Sequence, residues 1–320
     1  MSDAQNVIRN EARLQQQIRP KRRRRWIGIS AVILIVILLL GVFGISGYVG
    51  WNLTHPVKDP LEAKPEDLQL AYTNVEFNSA YDETLLRGWL IPAGDTKDRI
   101  VIFSHGFRGN RSGEKPALPT AKALKEQGIA SLLFDFRNSG ESEGTVTSVG
   151  LYEKSDLLAA INYAKSLGYT KIGLVGYSMG AVVSLNAAPE ASDVQAVIAD
   201  SPFADLRPYL EENLPVWSNL PAFPFTPLVI WETTLMTGLD PDKVRPIESI
   251  TKLKDKPVML IHTTNDGKIP ASNSEQLMKA SGSPNTSLWL VEGDKHVGAY
   301  DVKPDEYLAK VTQFFSNNLK

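Results

Sequence analysis

One run of sixteen residues constrains this chain more than any other: Ile172-Gly-Leu-Val-Gly-Tyr-Ser-Met-Gly-Ala-Val-Val-Ser-Leu-Asn-Ala187. Ile172 to Val175 predicts a short strand buried on both faces. Ala181 to Leu185 suits a buried helix. Between them Gly176-Tyr-Ser-Met-Gly180 must turn sharply, the strand–elbow–helix pattern that lifts a serine hydroxyl clear of the backbone. So tight a turn leaves no room for a side chain two residues to either side of the serine, and glycine stands at both places. A hydroxyl raised this way becomes a nucleophile once a base takes its proton. The amide of Met179, at the head of the new helix, would face the oxyanion formed on attack. A chance Gly-x-Ser-x-Gly on an ordinary turn is the alternative, and the flanking strand and helix speak against it.

The base must come from four histidines. His55 lies far upstream, in a stretch read below as a linker. His105 closes a strand as His-Gly, and His262 reads as a strand-end residue. His296, in Glu292-Gly-Asp-Lys-His296, follows the last predicted strand at the carboxyl edge of the sheet, where the elbow serine also lies. His296 is therefore the expected general base. Asp266, directly after the preceding strand, is the carboxylate expected to orient it. An Asx turn at Asn265-Asp266-Gly267 is the competing local reading. Asp294 would point elsewhere on a tight loop, and Glu292 and Asp200 are weaker candidates. The amide of Phe107, behind His105-Gly106, is the expected second oxyanion donor beside Met179.

Short apolar strands alternate with helices around these residues. Strands are expected at 99–104, 129–136, 171–176, 194–200, 257–262 and 286–291, with helices at 117–127, 152–167, 272–280 and 304–317. That rhythm predicts a mostly parallel sheet covered on both faces. An antiparallel hairpin, 70–77 and 84–91, leads it. Residues 203–250 break the rhythm with seven prolines and with Trp217, Phe223, Phe225 and Trp231, and are expected to form a lid over the carboxyl edge. Some of those aromatics are expected to line a substrate pocket.

The N-terminus is of another kind. Residues 1–25, a basic tail ending in Lys21-Arg-Arg-Arg-Arg25, are expected to be disordered or weakly helical. From Trp26 to Val57 there is no charged residue. Residues 26–50 are long enough to cross the ~30 Å hydrocarbon layer as a helix, bracketed by Trp26, Tyr48 and Trp51 at the two interfaces. The basic cluster on one side places the N-terminus in the cytoplasm and the body beyond the membrane. An uncleaved anchor is expected over a signal peptide, because no clear Ala-x-Ala follows the apolar run. Glycines at 41, 44, 47 and 50 would allow close helix packing. Proline-rich residues 51–68 read as a linker that holds the body, 69–320, off the membrane.

Composition removes several classes of function. No cysteine is present, which excludes a disulfide framework, a thiolate metal site and a cysteine nucleophile. Eight basic residues precede Trp26, so the rest of the chain carries 26 basic against 34 acidic residues and gives no encouragement to nucleic-acid binding.

His105-Gly106, Asp135-Phe-Arg-Asn-Ser-Gly-Glu-Ser142, the elbow, Asp266 with Ile269-Pro270, and His296 together resemble the α/β-hydrolase superfamily across residues 70–320. Within it the chain is similar to membrane-anchored serine hydrolases with an N-terminal span. The resemblance implies an α/β-hydrolase fold with a lid insertion, and structural roles for Asp135 and Arg137. It also implies a Ser178-Asp266-His296 triad that needs neither metal nor organic cofactor. Carboxylic esters, lipid or acyl esters among them, are the expected substrates. A peptidase or amidase on the same triad is the alternative, and a non-catalytic binding protein on the same fold is the more distant one.

Overall fold

The structure, a computed structural model, describes residues 2–94 and 97–320, without the side chains of residues 2 and 17–23. Lys21, Arg22 and Arg23 of the basic cluster therefore have side chains outside the described residues.

The chain opens with α1, a single helix Ser2–Thr54. The expected disordered or weakly helical tail is the first part of that helix. Its four glutamines and seven arginines carry good intrinsic propensity, and an established helix propagates more easily than it nucleates, which carries it past Pro20. Arg24–Thr54 is apolar and long enough to cross a membrane.

The expected hairpin is β1, Thr73–Asn78, paired antiparallel with β2, Leu85–Ile91. There follow β3 (Arg99–Ser104), α2 (Ala117–Glu126), β4 (Ala130–Phe134), α3 (Glu153–Ser166), β5 (Lys171–Tyr177), α4 (Met179–Ala187) and β6 (Val194–Asp200). An inserted segment holds α5 (Leu206–Ser218), α6 (Ala222–Thr237) and the one-turn α7 (Pro246–Ser249). Last come β7 (Val258–Thr263), α8 (Ser272–Ser281), β8 (Thr286–Val291), the short α9 (Ala299–Val302) and α10 (Pro304–Asn318).

The eight strands form one sheet in the order β1-β2-β4-β3-β5-β6-β7-β8. Pairing is antiparallel at β1–β2 and β2–β4 and parallel across the rest. The strands β3, β4, β5 and β6 are almost wholly apolar because helices cover both faces. Leu157 and Ala160 of α3, Val183 of α4 and Leu277 of α8 pack on one face. Leu118 and Leu124 of α2, with Val311 and Phe315 of α10, pack on the other. Each large side chain so buried contributes about 1.5–3 kcal/mol.

Residues 51–68 depart from the expected spacer. The helix α1 runs on through Thr54, and the segment after it lies against the body. Leu61, Ala63 and Leu68 pack on the core under α2. Asn110 Nδ2 donates to the carbonyls of Asp59 and Pro60, and the Glu62 amide to Ser112 Oγ. Prolines and charges hid three apolar side chains that find a surface to cover.

Candidate active site

The serine stands where β5 meets α4. Its backbone is left-handed, φ 53° and ψ −117°, a conformation that costs a non-glycine residue strain. The surroundings enforce it. A Cβ on Gly176 would lie 2.2 Å from the Gly180 carbonyl oxygen, and one on Gly180 would lie 2.0 Å from that of Ser104. The elbow is therefore packed against β3 too tightly for any side chain at either glycine.

From this turn Ser178 Oγ donates to His296 Nε2 at 2.8 Å. His296 Nδ1 donates in turn to Asp266 Oδ2 at 2.6 Å. The three come from loops after β5, β7 and β8, all at the carboxyl edge of the sheet. The structure thus brings together the three residues that the sequence singles out. Asp266 is buried, and its other oxygen accepts the amides of Lys268 at 2.8 Å and Ile269 at 3.1 Å. The Asx turn and the orienting carboxylate are one feature, since one oxygen closes the loop while the other meets the imidazole. Burial by itself would raise the Asp266 pKa, but hydrogen bonds from His262 and His296 hold it well below the usual carboxylate range. The other carboxylates lie elsewhere. Glu292 and Asp294 are exposed, and Asp200 accepts from Ser201 Oγ and Tyr307 OH, both at 3.0 Å.

His262, read as a strand-end residue, supports this arrangement from beneath. It is fully buried, donates from Nε2 to the Ile269 carbonyl at 2.8 Å and accepts from Ser274 Oγ at 2.7 Å. Its Nε2 also lies 3.4 Å from Asp266 Oδ2. The local signal for this role, a histidine four residues before the aspartate, was present but has no meaning until the loop closes.

The amides of Phe107 and Met179 have no hydrogen-bond acceptor among the described residues. The loop carrying Phe107 passes close to the serine, for a Cβ on Gly106 would lie 3.4 Å from Ser178 Cβ. Two side chains pin it, one buried and one half-buried. His105 donates from Nδ1 to the Gly106 carbonyl at 2.8 Å and accepts the Phe136 amide at 3.0 Å. Burial lowers its pKa to about 4, so it stays neutral as a strut. Glu114 Oε1 accepts the Gly106 amide at 3.0 Å, and burial pushes that carboxyl up.

Asp135 and Arg137 shape the same edge without reaching the serine. Asp135 is buried and accepts from the Arg111 amide and Nη1, both at 2.7 Å, and from the Glu141 amide at 2.9 Å. Arg137 pairs with Asp156 at 2.7 Å. Arg111 and Asp156 had no recognisable signal in the sequence.

A cavity of about 800 Å³ opens over the serine. Phe107, Met179, Glu114, Lys268 and His296 form its floor. Phe203, Tyr209, Leu210, Leu214 and Trp217 form one wall, so the inserted segment does cover the site. Of the four aromatics singled out there, Trp217 lines this cavity, whereas Phe223 and Trp231 line a separate groove of about 570 Å³ between α5 and α6. The opposite wall is Tyr48, Val49, Asn52 and Leu53, from the last turns of α1. Those turns dock on α6, with Gly47 against Glu232 and Gly50 against Thr233.

Known proteins share this architecture. Residues 99–230 match the family model described as the alpha/beta hydrolase fold. The Bacillus subtilis protein YqkD is 32% identical over 253 residues, 78% of this chain and 81% of its own. Escherichia coli K12 YfhR is 27% identical over 256 residues, 77% of this chain and 81% of its own. Among solved structures, the esterase Pf2001 of Pyrococcus furiosus superposes with a TM-score of 0.70 at 27% identity, covering 84% of this chain and 99% of that one. A family model, a relative matched over most of its length and a shared three-dimensional frame converge on one assignment: the chain belongs to the alpha/beta-hydrolase superfamily.

Proposed function

We propose that the protein is a serine hydrolase of carboxylic esters, tethered to a membrane by α1. The observation that carries this reading is the unbroken hydrogen-bonded line from Ser178 through His296 to Asp266 under an apolar cavity. Likeness to an esterase of the same frame supports it.

The geometry supports the following steps. Ser178 Oγ attacks the acyl carbon as its proton passes to His296 Nε2, and Asp266 keeps the imidazole in the receptive tautomer and stabilises its charged form. The amides of Phe107 and Met179 receive the oxyanion, a contribution worth about 2.7–4 kcal/mol per donor in comparable enzymes. His296 then gives its proton to the departing alkoxide, and water attacks the acyl-serine by the same route in reverse. No cofactor enters these steps. With the basic cluster cytoplasmic and α1 uncleaved, the catalytic body lies outside the cytoplasm.

Turnover of p-nitrophenyl esters against aminoacyl p-nitroanilides tests the reading. Hydrolysis of the esters by wild type, and none by Ser178→Ala, is the expected result. Faster turnover of the anilides would replace the esterase by a peptidase or amidase.

A further inference from the structure

The reading of α1 as a membrane span fixes how deep the lid sits. Residues 26–45 are the part of the apolar run that precedes its docking on the body, and twenty residues at 1.5 Å each measure about 30 Å, the thickness of the hydrocarbon core. Ser46, the next residue, is already fully buried. Ser46 to Gly50 covers about 7 Å, roughly one headgroup layer, and α6 packs on that length, with Glu232 and Thr233 facing Gly47 and Gly50. No spacer separates the span from the body.

With α1 as the span, α6 would lie at headgroup depth, and its free face has the chemistry for that position. Pro227, Trp231 and Leu235, four residues apart, form one stripe, with Trp231 56% and Leu235 72% exposed. Phe223 is 83% exposed at the near end of the lid, and Val216 and Trp217 of α5 are exposed beside the α5–α6 turn. That much exposed apolar and aromatic surface is unusual for a face bathed in water, and aromatic rings favour the bilayer interface. Arg207, Glu211 and Asp240, which share the groove with Phe223, Pro227 and Trp231, suit the polar headgroups.

We propose that the lid's outer face is seated in the leaflet on the body's side, so that the cavity takes its ester substrate from the lipid phase, between the end of α1 and α5. Tyr48 and Leu53 of α1 stand on one side of that entrance and Trp217 of α5 on the other, within the cavity that holds Ser178. The substrate class is an amphiphilic ester with an acyl chain, held by its headgroup at the surface. This rests on the ester-hydrolase reading for the substrate, though not for the seat of the lid.

Because the chain has no cysteine, a cysteine introduced into the full-length protein is the sole labelling site. Nitroxides are placed at Trp231→Cys and Leu235→Cys. The aqueous reference is Ser166→Cys, which is exposed at the amino edge of the sheet, opposite the lid. In phosphatidylcholine–phosphatidylglycerol liposomes, positions 231 and 235 should collide more with oxygen than with a water-soluble nickel chelate, and 166 the reverse. If 231 and 235 behave as 166 does, the proposal is overturned.

A double variant, Trp231→Ser with Leu235→Ser, supplies the functional arm. Turnover of p-nitrophenyl acetate in detergent should stay within twofold of wild type, while turnover of a long-chain ester embedded in vesicles should fall at least tenfold. Equal loss on both substrates, or loss on neither, would overturn it. Failure of the wild type to hydrolyse p-nitrophenyl acetate would remove the esterase reading, with the collision data still deciding where the lid sits.

Discussion

Asp266 divides its carboxylate between two tasks: Oδ2 meets His296 Nδ1 at 2.6 Å, while Oδ1 accepts the amides of Lys268 and Ile269. An amide in its place could still close the loop but would present no second acceptor of equal strength, and it would admit the wrong imidazole tautomer. Asp266→Asn should therefore fold, keep its KM within a few-fold and lose about 10³–10⁴ in kcat. Steady-state kinetics on a soluble ester check this, and a loss below tenfold would put the orienting carboxylate elsewhere.

His262 offers a contrasting prediction, because it touches the loop and not the serine. His262→Phe removes the donor to Ile269 O and the acceptor for Ser274 Oγ inside the core. Each orphaned buried group costs about 1–3 kcal/mol. Chemical denaturation should show a loss of that order, with a smaller effect on kcat than Asp266→Asn. A kcat loss as large as that of Asp266→Asn at unchanged stability would make His262 part of the chemistry.

Asp200 should leave a signature in the pH dependence of stability. Burial raises its pKa from 3.8 to about 6. Between those values the unfolded chain has released a proton that the folded chain retains, so this group lowers stability as pH rises from about 4 through 6. Asp200→Asn removes the titration. Relative to wild type, the variant should gain up to about 3 kcal/mol of stability over that window. Denaturant melts at pH 4 and pH 7 measure the difference, and a gap that does not widen with pH contradicts the burial argument.

The seam between α1 and the lid supplies another. A Cβ on Gly50 would lie 2.2 Å from Thr233 Oγ1, so Gly50→Leu must push α1 away from α6. The wall formed by Tyr48, Val49 and Leu53 would shift with it. Turnover of short-chain esters should survive, and turnover of long-chain esters should fall about tenfold or more. A uniform response across chain lengths would mean that this wall does not contact the acyl chain.

The sheet and the three site residues were legible because their signals are local. Apolar runs with period-two or fully buried patterns mark β3, β5 and β6. The elbow glycines mark a turn that admits no side chain, and the order of Ser178, Asp266 and His296 follows the order of the strands that present them. What stayed hidden depends on surfaces meeting across the chain. Arg111 beneath Asp135, Glu114 on the Gly106 amide and His262 behind Asp266 are ordinary polar residues until the loops close around them. Gly47 and Gly50 suggested close helix packing, but only the docked lid reveals that their neighbour is α6 of the same chain. The same docking turns the end of α1 into a wall of the cavity, and Leu61, Ala63 and Leu68 turn the expected spacer into packed surface.

Labelling by a fluorophosphonate, with the adduct mapped by mass spectrometry, tests the central claim most directly. The wild type should carry one adduct, on the peptide containing Ser178, formed far more slowly in His296→Ala and absent in Ser178→Ala. An adduct on another residue, or labelling of Ser178 at the wild-type rate when His296 is removed, would contradict the account.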